Sequence, residues 1–134
     1  MYERKINYYE TDKMGIVHHS NYIRFFEEAR CEWMNSNGLP YEKLEKAGIQ
    51  IPVLSAYCEY KTPSTFGDTL VISLNMNEFK GIKMVITYEI TNKETGGLVA
   101  IGETKHCLVD KDIKPINVKK YNPEVYEIIS SWLV

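Results

Sequence analysis

Along the chain the hydrophobic positions change period, and each change marks an element. From Tyr2 to Tyr8 the side chains alternate, with Tyr2, Arg4, Ile6 and Tyr8 on one face and Glu3, Lys5 and Asn7 on the other, which predicts a first strand. From Asn21 the period lengthens. Tyr22, Phe25, Phe26, Ala29, Trp33 and Met34 recur at three and four, while Arg24, Glu27, Glu28 and Glu32 fall mainly elsewhere, so the pattern predicts an amphipathic helix with a bulky apolar stripe. Gly38 ends that helix and Pro40 prevents its resumption in the same register. Tyr41 to Ala47 then reads as a short helix closed by Gly48.

Residues Ile49 to Lys61, rich in Ile, Val and Tyr, predict a long strand, with Pro52 marking a bulge or an edge near its start. The turn Thr62-Pro63-Ser64-Thr65-Phe66-Gly67-Asp68 follows. Leu70, Ile72, Leu74 and Met76 alternate with Val71, Ser73, Asn75 and Asn77, and after Lys80-Gly81 the same pattern returns in Met84, Ile86, Tyr88 and Ile90, which predicts a hairpin. Asn92 to Gly97 turns the chain into a last strand, Leu98 to Val109, in which Gly102 marks a close approach of the helix. Asn122-Pro123-Glu124 combines a cap, a first-turn proline and an acid near the positive helix end, so a terminal helix begins there. The order predicts an α+β fold, with an antiparallel sheet laid against one long helix.

Composition narrows the function. The 134 residues fit a single domain, residues 1–134, long enough to bury a core. A net charge of −2 lacks the basic excess that nucleic-acid binding needs. Cys31, Cys58 and Cys107 are widely spaced and contain no C-x-x-C pair, which argues against a disulfide framework and a zinc site and for a reducing compartment, the cytoplasm. No stretch has the apolar length of a membrane span.

The chemistry is sought where strand passes into helix, in Tyr9-Glu10-Thr11-Asp12-Lys13-Met14-Gly15-Ile16-Val17-His18-His19-Ser20-Asn21-Tyr22. A helix N-terminus offers unpaired N–H groups and partial positive charge, and a carboxylate stands just ahead of it. Taken alone, Asp12 fits a turn or cap residue. The adjacent His18 and His19 lack the four-residue spacing of a metal-binding helix. The cysteines fit small buried hydrophobes, and Phe25, Phe26, Trp33 and Met34 fit core.

This stretch resembles the motif of the hotdog-fold acyl-CoA thioesterases of the 4-hydroxybenzoyl-CoA thioesterase type. Gly38-Leu39-Pro40, the turn from Thr62-Pro63 to Gly67-Asp68, and Lys114-Pro115-Ile116 resemble further points of that family. The resemblance implies an antiparallel five-stranded sheet wrapped on the central helix, with a C-terminal helix. It implies hydrolysis of an acyl-CoA thioester, with Asp12 as nucleophile or general base, the His19 backbone N–H as the main oxyanion donor, and Gly15 keeping the turn open. Tyr22 and His18 fall at the pocket, His18 where relatives often carry an aromatic residue. Lys80 and Lys83 match basic residues that meet coenzyme A phosphates. No cofactor or metal is implied, and the active site is expected at the interface of a homodimer or homotetramer.

Two other functions are weighed against hydrolysis. An enoyl thioester hydratase on the same fold carries D-x-N-P-x-H, but the position five after Asp12 is Val17 and the Asn and Pro are absent. A non-catalytic acyl-CoA binding module fits the same fold, since fold alone does not establish activity.

Overall fold

The computed structural model describes residues 1–134. In chain order the elements are β1 (Tyr2–Lys5), α1 (Ser20–Ser36), α2 (Tyr41–Ala47), β2 (Val53–Tyr60), β3 (Thr69–Phe79), β4 (Lys83–Asn92), β5 (Leu98–Cys107), α3 (Val118–Tyr121) and α4 (Pro123–Ser130). The strands form one antiparallel sheet in the order β1-β3-β4-β5-β2, so β1 and β2 are its edges. This is the α+β arrangement expected above.

The inner face of the sheet holds Ile72, Met76, Met84, Ile86, Ile90 and Ala100, all buried, against Phe25, Phe26 and Ala29 of α1. Gly102 is where the helix comes closest. A Cβ built there would lie 2.3 Å from the Phe26 ring and 2.8 Å from the Tyr57 carbonyl oxygen, and Phe26 stacks on Tyr88 with centroids 4.3 Å apart. The ring occupies the space that any side chain at 102 would need, as the glycine in the strand pattern anticipated.

Several boundaries differ from the sequence reading for local reasons. The first strand stops at Lys5, and Tyr8–Glu10 forms a 3₁₀ turn with Tyr8 exposed, because Ile6 is the last residue that reaches the core. The second strand starts at Val53 rather than Ile49: Pro52 donates no hydrogen bond, and the register slips between Val53 and Ser55. The last strand ends at Cys107, though an isolated bridge joins Gln50 to Val109. A short α3 before the terminal helix carries no strong periodicity and was not expected. It is capped by the Asn117 side chain, and its Val118 N–H donates to the Gly81 carbonyl. The terminal helix begins as expected, with the Asn122 side chain accepting from the Val125 N–H at 3.1 Å.

Candidate active site

The segment between β1 and α1 is a loop closed on itself and pinned from two sides. The Gly15 N–H donates to the Asp12 carbonyl at 2.9 Å, the Asp12 N–H to the Ile16 carbonyl at 2.8 Å, and Gly15 takes φ +81°, a left-handed conformation that favours glycine. The Thr62–Asp68 turn supports the loop from below, with the Val17 N–H donating to the Ser64 carbonyl at 2.8 Å. From the side, the Glu10 carboxylate is buried against Arg4 and accepts the Asn7 N–H at 2.8 Å. Arg4 also bonds Glu28 of α1 at 2.8 Å and lies 4.4 Å over the Phe25 ring. A guanidinium shared by loop and helix holds the two in one frame.

Asp12 lies in a cavity of about 250 Å³ that is also lined by Met14, Ile16, Val17, His19, Tyr22 and Tyr60. One carboxylate oxygen, Oδ1, accepts the Met14 N–H at 2.8 Å, which is the turn role the residue type favours. Oδ2 takes no hydrogen bond within the chain. Asp12 therefore serves the turn with one oxygen and leaves the other available.

The start of α1 forms the facing wall. His18 accepts the Asn21 N–H on its carbonyl at 3.0 Å, and His19 accepts the Tyr22 N–H at 3.3 Å. The His19 N–H has no acceptor within the chain. It shares a peptide with the His18 carbonyl, so the bond from Asn21 polarises it further. The His18 side chain is turned to the helix instead of the cavity: its Nδ1 accepts the Ser20 N–H at 3.3 Å, lies 2.8 Å from Ser20 Oγ, and its ring stacks on His19 at 4.3 Å.

Tyr60 was missed by the sequence reading. At the end of edge strand β2, it donates from its hydroxyl to the His19 carbonyl at 3.3 Å, and its ring lies 5.4 Å from Tyr22. Burial raises the phenol pKa of Tyr22, and that of Tyr60 with a further push from Cys58, so both hydroxyls stay protonated in the neutral range. Only a pairing of β2 with β5 brings this tyrosine over the helix start, and no local pattern encodes that pairing.

Lys80 and Lys83 are placed elsewhere. With Glu78 and Ile82 they line a separate hollow at the β3–β4 turn. Lys83 pairs with Cys107 and Tyr60 with Ala100. Those two points on β5 are roughly 23 Å apart at about 3.3 Å per strand residue. One protomer therefore does not bring the lysines and Asp12 together.

Other arrangements are chemically weaker. No three His, Cys, Asp or Glu side chains converge on a metal-sized position. Burial raises the Cys58 thiol pKa, Cys107 is buried, and no hydrogen bond joins a cysteine to a histidine, so no activated thiolate is assembled. A hollow of about 560 Å³ on the outer sheet face carries Glu89 and Glu103, but the strand N–H groups beside it are consumed in the ladder.

The sequence pattern of the thioesterase-like superfamily matches residues 6–129. The crystal structure of a hypothetical protein from Aquifex aeolicus is 41% identical, covers 95% of this chain and 96% of its own, and superposes with a TM-score of 0.84. A DHNA-CoA thioesterase from Staphylococcus aureus is 33% identical over 97% of this chain and 87% of its own, with a TM-score of 0.90. An acyl-CoA thioester hydrolase, YbgC of Escherichia coli O157:H7, is 29% identical over 67% of each chain.

Proposed function

The chain belongs to the thioesterase-like superfamily, and from that premise we propose that it hydrolyses an acyl-CoA thioester to the free acid and coenzyme A. The observation that carries the proposal is the meeting in one cavity of the Asp12 carboxylate with His19, whose N–H has no acceptor within the chain.

In the proposed reaction the thioester carbonyl lies between these groups. Asp12 either attacks the carbonyl carbon or removes a proton from the water that does. In both routes the carbonyl oxygen gains negative charge, which the His19 N–H and the positive end of α1 stabilise without reorganising. The tetrahedral species then expels coenzyme A as its thiolate: on the general-base route this gives the free acid directly, and on the nucleophilic route it leaves a mixed anhydride on Asp12, which water hydrolyses to the free acid and the restored carboxylate. Gly15 keeps the turn narrow enough for Asp12 and Met14 to share one cavity wall, and Tyr22 forms its base.

The substrate's nucleotide end is assigned to Lys80 and Lys83 of a second copy. Edge strand β2 is long for an edge and leaves Val53, Leu54, Tyr57 and Tyr60 between 47% and 54% exposed, apolar surface that a free edge would not keep. A two-fold axis beside β2 pairs it antiparallel with its copy and reverses the partner sheet. The partner's Lys83 end then approaches this protomer's Tyr60 end, which removes the separation found within one chain.

The experiment is release of free thiol from a panel of short-chain, long-chain and aromatic acyl-CoA thioesters, read with a thiol reagent. Hydrolysis of at least one class is expected. Tight binding without release from any of them would assign the fold to acyl-CoA binding alone.

A further inference from the structure

Only Glu10, Asn21, Ser64, Thr104 and His106 are polar or charged and buried in this chain, and the first three pack around the Asp12 loop. Of these, Asn21 joins the two segments that carry the proposed chemistry. It sits in the first turn of α1, is 8% exposed, and donates from Nδ2 to the Glu10 carbonyl at 2.9 Å. The same carbonyl accepts the His18 N–H at 2.9 Å. The Asn21 backbone N–H meanwhile donates to the His18 carbonyl at 3.0 Å. One residue thus ties the helix start both to the peptide that ends in the free His19 N–H and to the chain two residues before Asp12.

We propose that Asn21 is a positioning residue, which sets the separation between the Asp12 carboxylate and the His19 oxyanion donor. The proposal rests on the site assigned above. The anchor it bonds to is itself rigid, because the Glu10 side chain is held by Arg4 and the Asn7 N–H. A buried amide costs desolvation that a leucine of similar size would not, so its hydrogen bond must return something other than packing. What it returns is register. A carboxylate and an oxyanion donor on two different segments act together only when held to a fraction of an ångström, and a displacement near 1 Å costs on the order of 10²-fold in rate.

A purely structural role and a positioning role predict different outcomes. Were Asn21 only a first-turn helix residue, Asn21→Asp would be neutral or favourable, since an acid suits the positive helix end. For the positioning role, the introduced carboxylate faces the Glu10 carbonyl with no proton to donate, and the contact is lost. Asn21→Leu removes the donor without adding charge.

The test is steady-state hydrolysis of the best thioester from the panel by wild type, Asn21→Leu, Asn21→Asp and Asp12→Asn. Circular dichroism and light scattering confirm that each is folded and assembled. Both Asn21 variants are expected to lose at least about 10-fold in kcat with KM changed less than about 3-fold, and Asn21→Asp to recover relative to wild type as the pH is lowered and its carboxyl regains a proton. If Asn21→Leu does not fold, the kcat of Asn21→Asp and its recovery at low pH decide alone. Folded variants with kcat within about 2-fold of wild type, beside an inactive Asp12→Asn, would overturn the positioning role and leave the site intact. An active Asp12→Asn would overturn the site and this inference with it.

Discussion

At the scale of single residues, Asp12 and Gly102 make the sharpest claims. Asp12→Asn keeps shape and the Met14 contact while removing the charge, so it disables the nucleophile and the base alike. We expect kcat to fall by at least about 10² with little change in KM, in a protein that remains folded, because backbone donors and substrate binding persist. A folded variant retaining more than roughly a tenth of wild-type kcat would make Asp12 a turn residue only. Gly102→Ala addresses the core. Its Cβ would meet the Phe26 ring at 2.3 Å, and Phe26 is confined by Tyr88, so overpacking should cost about 1–3 kcal/mol in a urea titration. His106 adds a pH-linked residue. Burial, aided by the Arg30 charge, pushes its pKa down to about 4. The unfolded chain binds a proton near pH 6.5, so stability from the neutral folded form is complete above that value and is lost as pH falls toward about 4. Urea titrations at fixed protein concentration should show a loss of up to roughly 3 kcal/mol across that window, absent in His106→Gln.

At the scale of elements, β2 and the β3–β4 turn carry the substrate proposal. Phosphate contacts far from the reacting carbonyl bind ground and transition states alike. Replacing Lys80 and Lys83 together with Ala should therefore raise KM for acyl-CoA more than it lowers kcat, and the difference from wild type should shrink with added salt. Loss of kcat at constant KM would separate these lysines from the nucleotide. The helix start illustrates how an element serves chemistry. Its first turn closes on the His18 carbonyl and leaves the next N–H, that of His19, without an acceptor in the chain.

At the scale of the whole molecule, the Lys83 and Tyr60 ends of β5 lie roughly 23 Å apart, so the proposal that Lys80, Lys83 and Asp12 serve one substrate requires two copies. Protomers carrying Asp12→Asn, mixed and reassembled with protomers carrying Lys80→Ala and Lys83→Ala, should form hybrid dimers in which one site has every native residue and the other has none of them. Activity at low acyl-CoA should rise above that of either parent. No rise after verified exchange would remove the partner's Lys80 and Lys83 from the site that holds Asp12. Light scattering at micromolar concentration should find a dimer or a dimer of dimers, and Leu54→Lys with Tyr57→Lys on the exposed edge should shift it toward monomer with loss of activity.

Much of this was legible in the sequence because it is local. The alternation in β3 and β4, the 3.6-residue stripe of α1, the stops at Gly38 and Gly48 and the cap at Asn122 depend on neighbours within a turn or a strand pair. The Thr11-Asp12 to Tyr22 motif pointed to the candidate site through its resemblance to the family, since the residues taken alone fit a turn or cap at Asp12. The tertiary structure decided what depends on residues distant in sequence. Tyr60 reaches the helix start through the pairing of β2 with β5, and Arg4, already bonded to Glu10, reaches Glu28 across 24 residues. Asn21, in sequence an ordinary helix-start residue, becomes a buried link to Glu10 only when the loop folds back on α1. Periodicity reports which face of an element is apolar. Which polar groups meet behind that face is set by packing, where an unpaired donor costs more than any local preference can repay.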